Sequence, residues 1–333
     1  MTTQPMMQAM VLEEFGGPEV LHMAAVERPQ AAPNGVIVQV AYAGVNPADW
    51  KNREGWLARF FDYQFPFVLG FDAAGLVAEV GENVTDLAVG DRVVTASNMG
   101  RGERGTYAQF VASDRERVVK LPDHVSFSDA AALPTAGITC WEALFDVGGT
   151  TAGSTVLING GAGGMGSIAI QLATMAGAKV AATCGPANLD YVRSLGADLA
   201  IDYRQGGVLA AVREWAPDGV DLVVDTVGQG SLLDSIEMLK RGGIVTPIAT
   251  LIADEPMPDP ERAAELGVTV VPIMSNYANQ ERQLNGLVDA IAAGRIQAPE
   301  IDIMPLDQAG EAHRRVAGGH VRGKILLAVD TSL

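Results

Sequence analysis

Cysteine, histidine and positive charge are all scarce in this chain, and no long uncharged apolar run occurs. Two cysteines among 333 residues cannot build a disulfide framework and make a four-cysteine structural zinc site arithmetically impossible. Two thiols also fit a reducing compartment. Four histidines, His22, His124, His313 and His320, fall at edge or terminal positions with no ligand spacing between any two, and read as structural. Twenty-three Lys and Arg against 40 Asp and Glu give a formal net charge of −17, a surface that repels nucleic acid and anionic lipid. The opening MTTQPMMQAM has no Lys or Arg ahead of an apolar run, so it lacks the charged start of a secretory signal. The most apolar stretch, Ile168 to Ala182, is broken by Gln171, Gly177 and Lys179 and is too polar for a membrane span. The expectation is a cytoplasmic protein with neither membrane nor nucleic acid as partner.

What is present is a core. Hydrophobic content of 48% against 19% charged argues for packed structure, and the length is about two domains at roughly 150 residues each. The rhythm of the apolar residues changes near residue 125. Before it, short β-like runs, Val36–Val40, Leu76–Val80, Arg92–Thr95 and Tyr107–Val111, are punctuated by Gly, Asn and Asp, which predicts an all-β unit, barrel or sandwich. From residue 126, helical spacing over Ser128–Leu144 leads into alternating strands and helices. The strands are Thr155–Asn159, Lys179–Thr183, Ala200–Asp202, Asp221–Asp225, Ile244–Pro247 and Val268–Val271. That alternation predicts a doubly wound parallel sheet. After Pro272 come an amphipathic helix near Gln280–Ala293, a Pro-containing stretch and a strand near Ile325–Val329, too little for a domain. The expected organisation is a discontinuous unit of residues 1–125 and 274–333 around a second unit of residues 126–273.

The sharpest chemical signal is TVLINGGAGGMGSIAIQL at 155–172. Gly161, Gly163 and Gly166 satisfy G-x-G-x-x-G between an apolar strand and a helix. In such a loop one glycine permits the turn, the next lets the backbone approach a pyrophosphate, and the third allows close packing of helix on strand. The helix N-terminus then offers free N–H groups and a positive dipole end. Gly161, Ala162, Gly163, Gly164, Met165 and Gly166 are therefore candidate cofactor contacts. An NAD site usually carries an acid at the end of the next strand, but here that strand ends Ala182, Thr183, Cys184, Gly185. A 2′-phosphate meets no repulsion there, which favours NADPH. Thr183 joins the candidate contacts. Arg193, Tyr203 and Arg204 are candidate phosphate partners, with a solvated helix position the alternative for Arg193 and a packed aromatic the alternative for Tyr203.

From these motifs the chain resembles the zinc-independent quinone oxidoreductase (zeta-crystallin-like) branch of the medium-chain dehydrogenase/reductase superfamily. AGVNPADWKNREG at 43–55 is similar to that family's active-site loop. VLGFDAAGLVAEVGENV at 68–84, Val89–Val93 and GTYAQFVA at 105–112 follow its N-terminal lobe. LPTAGITCWEAL at 133–144 resembles its interdomain helix and RGKILL at 322–327 its last strand. The resemblance implies an α/β fold, a Rossmann-type doubly wound parallel sheet plus a GroES-like partly open β-barrel lobe. It also implies a homodimer and cofactor contacts from Thr139, Ile248, Ala249 and Thr250. Where zinc-dependent relatives place metal ligands, this chain has Asn46 and Gly70-Phe71-Asp72, with Cys140 beyond the third expected position. A catalytic zinc needs about three protein ligands, so no metal is expected, and Cys140 and Cys184 read as a core thiol and a strand-end residue.

Hydride addition to an acceptor already activated by conjugation, a quinone or an α,β-unsaturated carbonyl, is the chemistry that needs no Lewis acid. Asn46 is a candidate to orient the nicotinamide ribose or the substrate carbonyl, with an Asn-Pro turn as the alternative. Asp49 and Lys51 are candidates for proton relay or oxyanion stabilisation, or else surface ion pairs. Tyr63 is a candidate general acid within the aromatic run Phe60, Phe61, Tyr63, Phe65 and Phe67, which also suits pocket lining or packing. Asn98–Gly105 reads as a mobile cover or an ordinary surface loop. Three alternatives stay open: an enoyl-thioester reductase, which needs basic residues for pantetheine and is disfavoured by the acidic balance; a zinc-type alcohol dehydrogenase; and a cofactor-binding structural or RNA-associated protein, against whose RNA form the charge of −17 argues.

Overall fold

The computed structural model describes residues 5–60, 63–97, 99, 104–248, 252, 254–274 and 277–333. The chain forms two compact units. One comprises Met1–Thr135, Ala278–Ala292 and Ala298–Leu333, the other Ala136–Tyr277 and Ala293–Gln297.

The first unit is organised by one long strand, Gly35–Val45, rich in the β-branched residues that suit a pleated surface. Asp72–Val80 pairs antiparallel along one edge. The other edge is shared, Phe110–Asp114 covering its first half and the C-terminal strand Lys324–Ala328 its last residues, with Ile325 opposite Val45. The sheet continues through Arg92–Ala96 to Val118–Lys120 on one side and through Ile301–Pro305 on the other. A three-stranded sheet places Met6–Leu12 between His22–Glu27 and Phe67–Val68. Met7, Met10, Val38, Val40, Leu69, Tyr107, Ile325 and Leu327 fill the core between them. The central pair approaches so closely that a Cβ on Gly75 would sit 1.9 Å from the Gln39 carbonyl oxygen.

The second unit is a six-stranded, wholly parallel sheet. In space the strands run Leu199–Asp202, Lys179–Cys184, Thr155–Asn159, Val220–Asp225, Leu239–Pro247 and Thr269–Val270. Counted in chain order that is 3-2-1-4-5-6. Winding reverses at Thr155–Asn159, and a ligand crevice opens beyond the carboxyl end of the strand at such a switch point. The alternation expected from sequence is present, and the fold is α/β with a separate β lobe.

Four expectations are corrected. The loop 43–55 contains a helix, Pro47–Arg53, entered at Asn46 with Pro at its first position. The helix expected over Ser128–Leu144 is two, Phe127–Ala131 and Pro134–Trp141, because Pro134 cannot continue the preceding turn. A π-helical segment, Glu142–Val147, follows. The Tyr107–Val111 strand begins only at Phe110. The stretch before the last strand holds both Ile301–Pro305 and a helix, Ala309–Ala317, whose buried residues are Ala309, Ala312 and His313. Ala309, Ala312 and Val316 recur at helical spacing on one face, a short apolar stripe that the sequence reading passed over.

Gly75→Ala should lower the denaturant midpoint by the equivalent of about 2 kcal/mol or more, since backbone must move to admit the methyl group.

Candidate active site

The glycine loop leaves the strand Thr155–Asn159 and enters the helix Gly164–Met175 through Gly163. Its glycines have different reasons. Gly160 has φ +85°, where a side chain is strained. A Cβ on Gly161 would meet the Cβ of Ala182 at 2.9 Å, and one on Gly166 the Gly160 carbonyl oxygen at 2.2 Å. A Cβ on Gly163 would meet only that same oxygen at 3.6 Å, an ordinary contact. The loop is thus open at Gly163 and closed at Gly161 and Gly166. The first intrahelical bond is Ser167 N–H to the Gly163 carbonyl, 2.9 Å, so the N–H groups of Gly164, Met165 and Gly166 precede it. A pyrophosphate fits this cradle.

Thr183 braces the loop from beneath. It is buried, its hydroxyl accepts from Gly160 N–H at 3.0 Å and donates to Asn159 Oδ1 at 2.6 Å. Asn159 Nδ2 in turn donates to Asp225 Oδ1 at 2.8 Å. Sequence reasoning missed Asn159 and Asp225, each the last residue of its strand and paired in register. Thr139 is buried on the helix Pro134–Trp141, and Ile248 pairs with Ile273 in an isolated bridge. Ala249 and Thr250 lie outside the described residues, as do Phe61 and most of Asn98–Gly105.

Beyond Cys184 the carboxylate of Asp202, opposite it in register, caps its own turn by accepting from Arg204 N–H and Gln205 Nε2, both at 3.0 Å. Arg204 Nε donates to Tyr203 Oη at 3.4 Å, and its guanidinium carbon lies 4.0 Å from the Cβ position of Gly185. Both side chains reach solvent. Arg193 pairs with Asp190 on its own helix at 2.9 Å.

In the first unit, charged groups converge on a buried spot. Asn46 is almost wholly buried, its Nδ2 donating to Asp72 Oδ2 at 2.9 Å and its Oδ1 accepting from Lys324 Nζ at 2.5 Å. Lys324 also donates to the Val45 carbonyl at 3.3 Å and lies 3.6 Å from Asp72. Asp72 Oδ1 accepts from Thr135 N–H at 3.0 Å and from its hydroxyl at 2.5 Å. Asp49, fully buried, accepts the Asn46 N–H on Oδ2 at 2.7 Å. Burial, reinforced by the negative charge of Asp72, pushes the Asp49 carboxyl up to about 7 against the pull of Asn46, Lys324 and Tyr107. Burial likewise lowers Lys324 from its ordinary value. Lys324, missed from sequence, stands in the quoted RGKILL motif, and the unusual signal is a lysine on a strand whose other residues are apolar.

The surface ion pairs considered for Asp49 and Lys51 are overturned by burial. Lys51 is 6% exposed and its ammonium lies 5.5 Å and 5.9 Å from the ring centres of Trp50 and Trp56. Tyr63 donates its hydroxyl proton to Asn52 Oδ1, and burial raises its pKa. Its ring contacts Phe15 and Phe67 at 4.8 and 4.7 Å, while Phe60 and Phe65 are exposed.

His313 is a second correction, for it is fully buried rather than at an edge. Arg53 Nη1 approaches Nδ1 at 3.3 Å and Tyr107 Oη lies 3.2 Å from Nε2. Burial and the Arg53 charge depress the imidazole to about 3, so it is neutral. The donor set at Asp72 does not fit zinc: amide, hydroxyl and ammonium donors occupy its oxygens, and no group of three His, Cys, Asp or Glu converges among the described residues. Cys140 is buried, its thiol donating to the Met165 carbonyl at 3.2 Å, and Cys184 ends its strand.

Two family models match, "Zinc-binding dehydrogenase" over residues 195–327 and "Alcohol dehydrogenase GroES-like domain" over residues 32–123. A tomato 2-methylene-furan-3-one reductase is 37% identical over 72% of this chain, which spans 61% of that relative's length. The chloroplast envelope quinone oxidoreductase homolog of Arabidopsis thaliana is 30% identical over 97% of this chain and 98% of its own. The solved quinone oxidoreductase of Coxiella burnetii superposes with a TM-score of 0.84 at 30% identity, covering 98% of this chain and all of that one.

Two outcomes follow from the geometry. Gly163→Ala should keep stability within about 0.5 kcal/mol while weakening dinucleotide binding, whereas Gly166→Ala should cost stability as well; calorimetric titration and thermal melts separate the two. His313 contributes stability that is complete above its unfolded value of 6.5 and is lost as pH falls toward its folded value of about 3. Between those limits wild type should lose about 1.4 kcal/mol per pH unit at most, and His313→Gln should flatten that acid limb in denaturant titrations.

Proposed function

The chain belongs to the medium-chain dehydrogenase/reductase superfamily, in its quinone oxidoreductase branch, and we propose that it reduces quinones and α,β-unsaturated carbonyls with NADPH. The observation that carries this reading is the glycine loop, open at Gly163 where phosphate must approach and packed shut at Gly161 and Gly166. A nicotinamide dinucleotide, when bound, supplies a hydride to the electron-poor carbon of the conjugated acceptor, and one proton completes the reduction.

The chain's own residues divide the remaining work. The N–H groups of Gly164, Met165 and Gly166 bind pyrophosphate with the helix dipole behind them. Thr183 and Asn159 hold the loop in shape. Arg204 and Tyr203 take the 2′-phosphate; the strand end after Thr183 brings no acid of its own, and the neighbouring Asp202 carboxylate is held by the donors of its own turn. Asp49 stores the proton, because a carboxyl held near 7 exists in both forms at neutral pH. Lys51, desolvated beside two indoles, stabilises the oxygen that gains charge as hydride arrives, while Tyr63, its proton committed to Asn52 Oδ1, packs against Phe15 and Phe67. Asn46 fixes the start of the helix that carries Asp49 and Lys51. Zinc takes no step, since Asp72 is already spent on Asn46, Thr135 and Lys324. A cytoplasmic homodimer completes the reading. Among the described residues no helix is long and apolar enough to cross a membrane.

Steady-state assays with a small quinone should give a higher kcat/KM with NADPH than with NADH. Arg204→Ala should raise KM for NADPH about tenfold and leave NADH unchanged; equal rates with both cofactors would sink the phosphate assignment. With an enone acceptor, kcat should fall as pH rises through about 7, as Asp49 loses its proton, and Asp49→Asn should abolish that limb. Light scattering of the purified protein at twice the chain mass would support the dimer.

A further inference from the structure

Thr183, Asn159 and Asp225 stand at the carboxyl ends of three neighbouring strands, and Asn159 and Asp225 face each other in register. They form a polar rung across the edge of the sheet where the winding reverses and a crevice opens. The turn that follows Asp225 leans on the loop that follows Asn159. Thr226 donates from its hydroxyl to the Asn159 carbonyl at 2.7 Å, and a Cβ on Gly160 would meet Val227 Cγ2 at 2.7 Å and Thr226 Oγ1 at 2.8 Å. The two loops therefore touch at Gly160. The turn needs anchors of its own, since Gln229 has φ +56°, an unfavourable setting for a residue with a side chain. Its N–H is held by Glu255 Oε1 at 2.7 Å.

The rung can carry its hydrogen bonds in one direction only, because backbone N–H groups stand at both ends. Val227 N–H and Gly228 N–H donate to Asp225 Oδ1 at 3.0 and 3.1 Å, which makes that oxygen an acceptor. The Asn159 amide must then turn its NH2 toward it, at 2.8 Å, and Ser231 Oγ takes the same nitrogen at 3.0 Å. That leaves the Asn159 oxygen facing Thr183, whose hydroxyl donates to it at 2.6 Å. With its single proton spent there, Thr183 meets Gly160 N–H with a lone pair, at 3.0 Å. We propose that Asp225 is a positioning residue for the dinucleotide: by fixing the Asn159 amide and, through it, the Thr183 hydroxyl, it holds the glycine loop and the turn Thr226–Gly230 as one body.

Without the Asp225 carboxyl, nothing obliges the Asn159 amide to keep this orientation. Reversed, it presents NH2 to Thr183, whose hydroxyl proton then loses its acceptor while its oxygen must serve Asn159 and Gly160 together. The bond that weakens is the one at Gly160, where the loop has to hold φ +85°, and the N–H groups of Gly164, Met165 and Gly166 are set by the loop that Gly160 begins. The effect reaches the pyrophosphate, which NADP+ and NAD+ share, and leaves the 2′-phosphate to Arg204. Its consequence for affinity rests on the dinucleotide reading proposed above, whereas the coupling of the two loops does not.

Calorimetric titration of the full-length protein with NADP+ and with NAD+ reads the affinity, and hydrogen exchange of the segment containing Gly160, without dinucleotide, reads the coupling. Asp225→Ala and Thr183→Val, each checked for folding by circular dichroism, should weaken both dinucleotides about tenfold and speed exchange at Gly160. Asp225→Asn, whose side-chain oxygen can accept all three N–H groups, and Thr183→Ser, which keeps the hydroxyl, should stay within about twofold of wild type. Both lesions break one chain, so the double variant Asp225→Ala/Thr183→Val should lose no more than the weaker-binding single variant. Losses that multiply to about a hundredfold overturn the proposal, and so does an Asp225→Asn as impaired as Asp225→Ala. Unchanged exchange at Gly160 in Thr183→Val overturns it even if Asp225→Ala does not fold. A wild-type protein that binds neither dinucleotide, with exchange at Gly160 still faster in Asp225→Ala, supports the coupling and overturns only the cofactor reading.

Discussion

The carboxylate of Asp72 is the constraint around which the first unit is arranged. It lies at the start of a central strand, fully buried, and its two oxygens gather donors from Asn46, Thr135 and Lys324. Those residues are spread over almost the whole chain. A charge so placed is tolerable only when every lone pair is met and an opposite charge lies nearby, so the strand carrying Lys324 must return to the edge of Gly35–Val45 for the unit to close. Close approach is part of the same arrangement. A Cβ on Gly44 would lie 2.9 Å from that of Asp72 and 2.7 Å from the Ala131 carbonyl oxygen.

From that junction the chemistry of the unit follows. Asn46, held by Asp72 and Lys324, sets the first turn of the helix Pro47–Arg53, and on that helix Asp49, Lys51, Asn52 and Arg53 are all buried. A surface helix of seven residues with one carboxyl and two cations would be unremarkable in sequence. Buried, its groups must find one another, and they do so by shifting proton affinity rather than by simple pairing: the Asp49 carboxyl goes up, the Lys324 ammonium down, and the His313 imidazole is held neutral. Such opposed shifts within one cluster are the usual mark of a site that handles protons.

The second unit works differently, with backbone rather than ionisable side chains. Its loop is shaped by three close approaches, Gly160 at positive φ, Gly161 against Ala182 and Gly166 against Gly160, and secured by a relay of neutral and charged hydrogen bonds from Gly160 through Thr183 and Asn159 to Asp225. With only 23 cations in the chain, the proposed anion site relies on N–H groups, a helix dipole and the exposed Arg204.

The sequence by itself determined the parallel sheet and its glycine loop, because both are local: alternating apolar runs report strands and helices, and the three glycines fall within six residues. It also determined that no acid follows Thr183 on its own strand. Only the tertiary structure decided what the polar residues are for. Asn46, Asp72 and Lys324 are up to 278 positions apart, and nothing in spacing says that they share a cavity. His313 looked peripheral because its helix buries two alanines beside it, and burial, unlike periodicity, depends on what the rest of the chain lays on top. The protonation of Asp49 belongs to that second category, since desolvation and neighbouring charge exist only after the chain has folded around them.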